Sequence, residues 1–428
     1  METITFQNIL KIIIGSLDKI DNNLVGHGER VAYAVLRLLE SKRMFSNDEL
    51  GKIGLIVLLH DIGGWEKKNI SDLLRIENEE RFSHAQYGYV FIKHFTPFPQ
   101  YAPIVLYHHS SCRMIDHCVQ DQALRTAIKQ IRVADAADLL ILSQPDIDKR
   151  ELSAKLYNLC KSGELDGDAV TDYMKLLGQE ETVFAAQDGR RAVRPLFLGY
   201  MEHVSISEHE QERLLQTIVS SIDFRSRYTV FHCATMIRIC ELLADFCGID
   251  PDNRNTLHYG ALFHDLGKIA IPTYILESRG KLYGEAWEIM KAHVNITKEI
   301  LEGNVNDKIL QIAIRHHEAM DGSGYPRGLT GKQLTLMQRI VIVSDVISAL
   351  AGKRSYKEPF SLNRIKQILN EMKTGGKLCP YVTDIALEHC EKIYLAANEV
   401  GHAQQKLYHD IQQEYERMRQ NTNQLAKI

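Results

Sequence analysis

The sequence predicts an all-α protein built from two tandem helical domains related by internal duplication. Three observations carry that expectation. Apolar residues recur at helical spacing, as Val31, Ala34, Val35, Leu38 and Leu39 do. Strand-like alternation is rare throughout. One string of histidines and aspartates occurs twice, in the same order.

Length and composition bound the answer. With 428 residues the chain can hold two or more domains, each with its own core. A hydrophobic content of 45% and a charged content of 25% are those of a globular protein. The net charge of −4 argues against a general nucleic-acid binder, while leaving room for a local basic pocket that takes a small phosphate ligand. The eight cysteines form no C-x-x-C pair, and Cys233, Cys240 and Cys247 recur every seven residues as one helix face. That pattern fits a reducing cytoplasm. The first residues, Met1 to Phe6, do not read as a signal peptide. No stretch approaches the roughly 18 uninterrupted apolar residues of a spanning helix. The expectation is a cytoplasmic protein with no membrane insertion and no polymeric nucleic-acid partner.

Taken in order, residues 1–20 read as an amphipathic helix, and a second helix starts after His27. His60-Asp61 follows an apolar run, then come His84, the pair His108-His109, and Asp135 within Ile131–Asp138. The second half repeats the string as His232, His264-Asp265, His293, His316-His317 and Asp345. The offsets are 205, 204, 209, 208 and 210, and these places hold ten of the 18 histidines. The domains are expected at 1–180 and 211–395, with a connection at 181–210. In that connection Asp188-Gly189 is a turn signal able to top a short hairpin. The tail, 396–428, is polar and helical, with Leu407, Ile411 and Tyr415 as a stripe for packing or dimerisation, or else a solvated terminal helix.

The residue types point to metal. Adjacent side chains on a helix diverge by roughly 100°, so a core wants only one of two neighbouring histidines inside. Both make sense if they turn toward a divalent cation. Taken alone, each of these histidines reads as an ordinary core or surface residue. Together, five histidines and two aspartates in apolar surroundings are costly to bury without a cation.

The string, with His264-Asp265-Leu266-Gly267-Lys268 and His316-His317-Glu318-Ala319-Met320-Asp321-Gly322-Ser323-Gly324-Tyr325-Pro326, closely resembles the HD-GYP family of HD phosphohydrolases. The resemblance runs from about His232 to the 377–382 region. It implies an all-helical fold, a centre of two or three metal ions, and hydrolysis of cyclic dinucleotides, mainly cyclic di-GMP, to pGpG or GMP. By the same resemblance His232, His264, Asp265 and Asp345 hold one metal. Asp265 bridges to a second held by His293, His316 and His317. Iron or manganese is the expected metal, with zinc, nickel or magnesium also compatible. The pair would supply a hydroxide near neutral pH and neutralise phosphate charge. Lys268 would bind a phosphate oxygen or protonate the leaving O3′. Gly324, Tyr325 and Pro326 would shape the substrate mouth, and Arg354 and Lys357 would contact phosphate or guanine.

Two departures matter. Some relatives carry a third-metal Glu four residues before the first ligand. Here that place is Tyr228, and Asn23 in the first half, so two metals are expected. Ser348 stands where the family has an acid, which bears on ligand orientation. The first half keeps a second candidate cage of His27, His60, Asp61, His84, His108, His109 and Asp135. It has Gly64 in place of Lys268, Ser110–Asp116 in place of the Gly-Tyr-Pro loop, and no match to Arg354–Lys357. Three readings of it stand open: a decayed structural copy, a regulatory domain with a retained metal site, or, behind these two, independent catalysis. For the whole chain the alternatives to cyclic di-GMP hydrolysis are a phosphodiesterase for 3′,3′-cyclic GMP-AMP and a catalytically silent cyclic-dinucleotide receptor or scaffold. A homodimer or a signalling-protein partner is compatible with each.

Overall fold

The computed structural model describes residues 4–20, 26–66, 81–180, 189–223, 232–278, 280–352 and 360–425. Among them the architecture is all-α. No strand occurs among the described residues, and one isolated antiparallel bridge joins Asp321 to Thr330. The chain divides into two compact units, one comprising Met1–Ser16 and Leu215–Asp410, the other Leu17–Leu214 and Ile411–Ile428.

In chain order the first helices are α1 (Phe6–Asp18), α2 (His27–Lys42), α3 (Asn47–Leu58), α4 (Arg81–Phe95), α5 (Ala102–Tyr107) and α6 (Cys112–Cys118). Next are α7 (Gln122–Ser143), α8 (Lys149–Lys161), α9 (Gly167–Gln179), α10 (Gly189–Met201) and α11 (Glu208–Asp223). Helix α2 packs on α3, α7, α9 and α10, and α4 packs on α5 and on the tight turn Ile62–Glu66. Local chemistry sets the starts. Ser46 and Glu49 form a reciprocal capping box at α3, and the Asp121 carboxylate accepts the Leu124 amide at α7.

A helix from Gly189 onward replaces the hairpin expected at Asp188-Gly189; Asp188 itself lies outside the described residues. The reason is periodicity. Val193, Phe197 and Met201 stand four apart and are all fully buried, as one helix face requires. On another side of α10, Arg194 donates to Glu29 and Asp18, each at 2.6 Å.

The other unit continues with α12 (His232–Phe246), α13 (Pro251–Phe263), α14 (Thr273–Leu276), α15 (Gly284–Leu301) and α16 (Asp307–Ala313). It closes with α17 (Leu336–Ala351), α18 (Leu362–Thr374), α19 (Pro380–Glu388) and α20 (Cys390–Leu425), whose residues from Ile411 onward group with Leu17–Leu214. Helix α12 packs on α13, α17 and α19, and α13 packs on α16. Helix α17 runs through the core: Ile340, Val341, Ile342, Val343 and Ile347 are all buried. Helix α1 groups with this unit as far as Ser16, and its Ile9, Leu10, Ile12, Ile13 and Ile14 are all buried. Among the described residues no helix is long and apolar enough to cross a membrane.

Candidate metal centres

Each ligand expected in the second half comes from a helix end or a packed helix. His232 opens α12, His264 and Asp265 follow the last turn of α13, and His293 sits within α15. His316 and His317 follow α16, and Asp345 lies inside α17. The carboxylate of Asp265 divides its two oxygens. Oδ2 lies 3.1 Å from His264 Nε2 and 3.5 Å from His232 Nε2. Oδ1 lies 3.4 Å from His293 Nε2 and 3.7 Å from His316 Nε2. Asp345 spans the same gap from the other side, at 3.1 Å from His232 Nε2 and 3.7 Å from His317 Nδ1. All seven residues converge.

The tautomers decide what this cluster can hold. His264, His293 and His316 point Nδ1 at the carbonyls of Ala261, Met290 and Ala313, at 2.7, 2.6 and 2.7 Å. A carbonyl only accepts, so Nδ1 carries the hydrogen and Nε2 a lone pair. The Nε2 atoms of His293 and His316 then face each other at 3.3 Å, as do those of His264 and His232. Lone pairs opposed at that distance, beside carboxylate oxygens, repel unless a cation lies between them. Asp265 Oδ1 is buried and makes no hydrogen bond. A histidine fixed through Nδ1 by a main-chain carbonyl is also the usual arrangement of a metal ligand.

Electrostatics agree. Burial pushes His293 down to about 3 and His317 down to about 4, and holds His316 well below the ordinary imidazole range. These rings are therefore neutral, the form that binds metal. Burial alone would raise the two carboxyls. Instead His264 and Lys268 hold Asp265 well below the usual range, and His232 does the same for Asp345. At His264 burial is outweighed by the adjacent Asp265, and its pKa rises. Both carboxylates thus lie near the ammonium of Lys268, whose Nζ is 2.6 Å from Asp265 Oδ2. The donor set fits divalent metal.

Some features of the centre lay outside the sequence reading. Gly267 is one: a β-carbon there would lie 2.0 Å from the His293 carbonyl oxygen, so only glycine lets the turn after Asp265 approach α15. Glu318 is another. Its buried carboxylate accepts the amides of Arg327 and Leu329, both at 2.8 Å, and so ties down the Gly-Tyr-Pro loop. That loop returns over the candidate ligands: the Tyr325 amide donates to the His317 carbonyl at 3.0 Å, and its ring lies 4.7 Å from the His317 ring. Gly324 and Pro326 flank it. Arg354 and Lys357, together with Tyr228 and Asn23, lie outside the described residues.

The first half has the same arrangement. Asp61 Oδ2 lies 3.6 and 3.4 Å from Nε2 of His27 and His60, and Oδ1 lies 3.6 and 3.7 Å from Nε2 of His84 and His108. Asp135 stands 3.3 Å from His27 Nε2 and 3.7 Å from His109 Nδ1. His60 and His108 again donate Nδ1–H to carbonyls, those of Val57 and Val105, at 2.8 and 2.6 Å. The two centres differ behind the first histidine. His27 Nδ1 donates to Asp138 at 2.7 Å, and Arg30 grips that carboxylate at 2.6 and 2.8 Å. In the second half Ser348 occupies the corresponding place. Asp138 and Arg30 were legible only as members of helical runs.

Residues 209–378 match the model of the HD domain. Over 249 residues the chain is 32% identical to the cyclic di-GMP phosphodiesterase response regulator RpfG of Xanthomonas campestris, covering 57% of this chain and 59% of that protein. The second half of the chain is thus similar to HD-domain phosphodiesterases, as the HD-GYP resemblance implied. Similarity extends to both halves in another relative: 3′3′-cGAMP-specific phosphodiesterase 1 of Vibrio cholerae is 26% identical over 401 residues, covering 89% of this chain and 91% of that protein. The crystal structure of a cyclic GMP-AMP-specific phosphodiesterase from V. cholerae superposes with a TM-score of 0.53 at 18% identity, covering 91% of this chain and 97% of that one, and shares its all-helical fold.

Proposed function

We propose that the second half is a metal-dependent phosphodiesterase that opens cyclic dinucleotides by hydrolysing a 3′–5′ phosphodiester, with cyclic di-GMP giving pGpG or GMP. The observation that carries this reading is Asp265, whose two oxygens each face a separate pair of histidine lone pairs while Lys268 stands 2.6 Å away. In this reading His232, His264, Asp265 and Asp345 hold one cation, and Asp265, His293, His316 and His317 the other. Bound there, divalent cations supply Lewis acidity toward phosphate and a water that ionises near neutral pH. Lys268 keeps its proton, because Asp265 raises its pKa against the opposing effect of burial. Its ammonium binds a non-bridging phosphate oxygen or hands a proton to the departing O3′. The Tyr325 ring, lying against His317, walls the mouth.

A second reading, 3′,3′-cyclic GMP-AMP as substrate, draws support from the relative that matches both halves, a 3′3′-cGAMP-specific phosphodiesterase. Protein reconstituted with manganese or iron and given each cyclic dinucleotide side by side decides between them. No turnover of either, with the metal sites filled, would leave a silent receptor.

The first half is read as a second metal cage, built from His27, His60, Asp61, His84, His108, His109 and Asp135. With Gly64 at the place of Lys268 it lacks the ammonium assigned to the phosphate. Metal per chain before and after His60→Ala plus Asp61→Ala tests it.

A further inference from the structure

Helix α15, which delivers His293, also carries Trp287 one and a half turns earlier. Its side chain is 39% exposed. A single exposed aromatic is ordinary, but this one has a particular neighbour. Its ring meets Tyr325 edge-on, with centroids 5.8 Å apart and planes at 78°. Tyr325 in turn lies over the His317 ring, at 4.7 Å and 33°. A continuous run of rings thus leads outward from a metal ligand to an indole open to solvent. Lys291, one helical turn along, places its ammonium 5.9 Å from the Trp287 centroid while pairing with Glu288 at 2.8 Å.

We propose that Trp287 is a stacking platform for one nucleobase of the substrate, a specificity determinant that works together with Tyr325. Every base has a π-face, and stacking on an aromatic side chain is a general means of holding it. A cyclic dinucleotide carries its bases outward from the phosphates. A phosphate at Asp265 and Lys268 therefore sends a base away from the metals, across Tyr325. Lys291, on the same helix face, sets a positive charge beside the indole. The sequence adds a separate observation. The offset of 209 that relates His293 to His84 sets Asn78 against Trp287, so the half without Lys268 and the Gly-Tyr-Pro loop also lacks the indole. The inference rests on the proposed cyclic-dinucleotide chemistry.

The test uses the full chain loaded with manganese. Trp287→Ala should raise KM for cyclic di-GMP or 3′,3′-cyclic GMP-AMP by roughly tenfold or more. Its kcat should stay within about threefold of wild type, its metal content should not change, and Trp287→Phe should recover most of the loss. As a second readout, mixing wild-type protein with either dinucleotide should quench tryptophan emission, and the quench should vanish in Trp287→Phe, whose metal content and kcat show that it is folded. If wild type turns the dinucleotide over and Trp287→Ala keeps KM within twofold, the platform is wrong and the proposed function stands. If metal-loaded wild type turns over neither dinucleotide, both fall.

Discussion

Ser348 Oγ lies 3.1 Å from Nδ1 of His232. The serine hydroxyl gives its own hydrogen to the Asp345 carbonyl at 2.8 Å, so it accepts from His232 and leaves that histidine's Nε2 lone pair facing Asp265. The neutral hydroxyl does the orienting work of a carboxylate, but without the negative charge that makes the imidazole more basic. Partners of this kind are worth roughly 10–100-fold in metal affinity. Ser348→Ala should therefore weaken metal binding by about that factor, and Ser348→Asp should tighten it. Metal retained after dialysis against graded chelator measures both.

The two centres should separate by mutation. His264→Ala plus Asp265→Ala is expected to abolish dinucleotide turnover and strip metal from the second half. His60→Ala plus Asp61→Ala should remove metal from the first half and leave most turnover in place. Equal loss of activity from both pairs would overturn the assignment of the active half.

Lys268→Ala should lower kcat by roughly 10²–10⁴-fold, the range of a positioned proton donor. Metal content should hold or rise, because Asp265 loses a competing cation 2.6 Å from its Oδ2. A drop in metal with unchanged kcat per metal-loaded chain would show Lys268 to be a structural partner only.

Glu318→Ala should loosen the Gly-Tyr-Pro loop. It leaves the amides of Arg327 and Leu329 without their acceptor, at a cost of about 1–3 kcal/mol. A unit of this size would melt lower by about 2–4 °C per kcal/mol. The same variant should raise KM, since Tyr325 belongs to that loop. Differential scanning calorimetry and steady-state kinetics check the two effects separately.

The clustered candidate ligands were legible because histidine and aspartate are conspicuous in apolar surroundings, and because the string occurs twice. His264 and His60 occupy equivalent geometry, as their offset of 204 suggested. What the sequence hid were partners defined only in space. Asp138 clamps His27 across 111 positions of chain, and Glu318 reaches amides 9 and 11 residues ahead in a loop of no regular period. Helix α1 was legible as amphipathic, but an apolar face does not say what it covers, and its grouping with residues 215–410 had no local signal. The turn signal at Gly189 misled because three residues spaced four apart outweigh it.

Gly267 touches no assigned ligand atom with a side chain of its own, yet the first methyl added there meets an oxygen at 2.0 Å. Gly63 is confined in the same way by the carbonyl of His84, also at 2.0 Å. A saturation screen scored on activity would rank position 267 beside the metal-binding residues, although its part is to be a spacer of zero thickness. Tolerance maps of such an enzyme therefore chart clearance between backbones as well as chemistry, and an intolerant glycine here is a measure of distance.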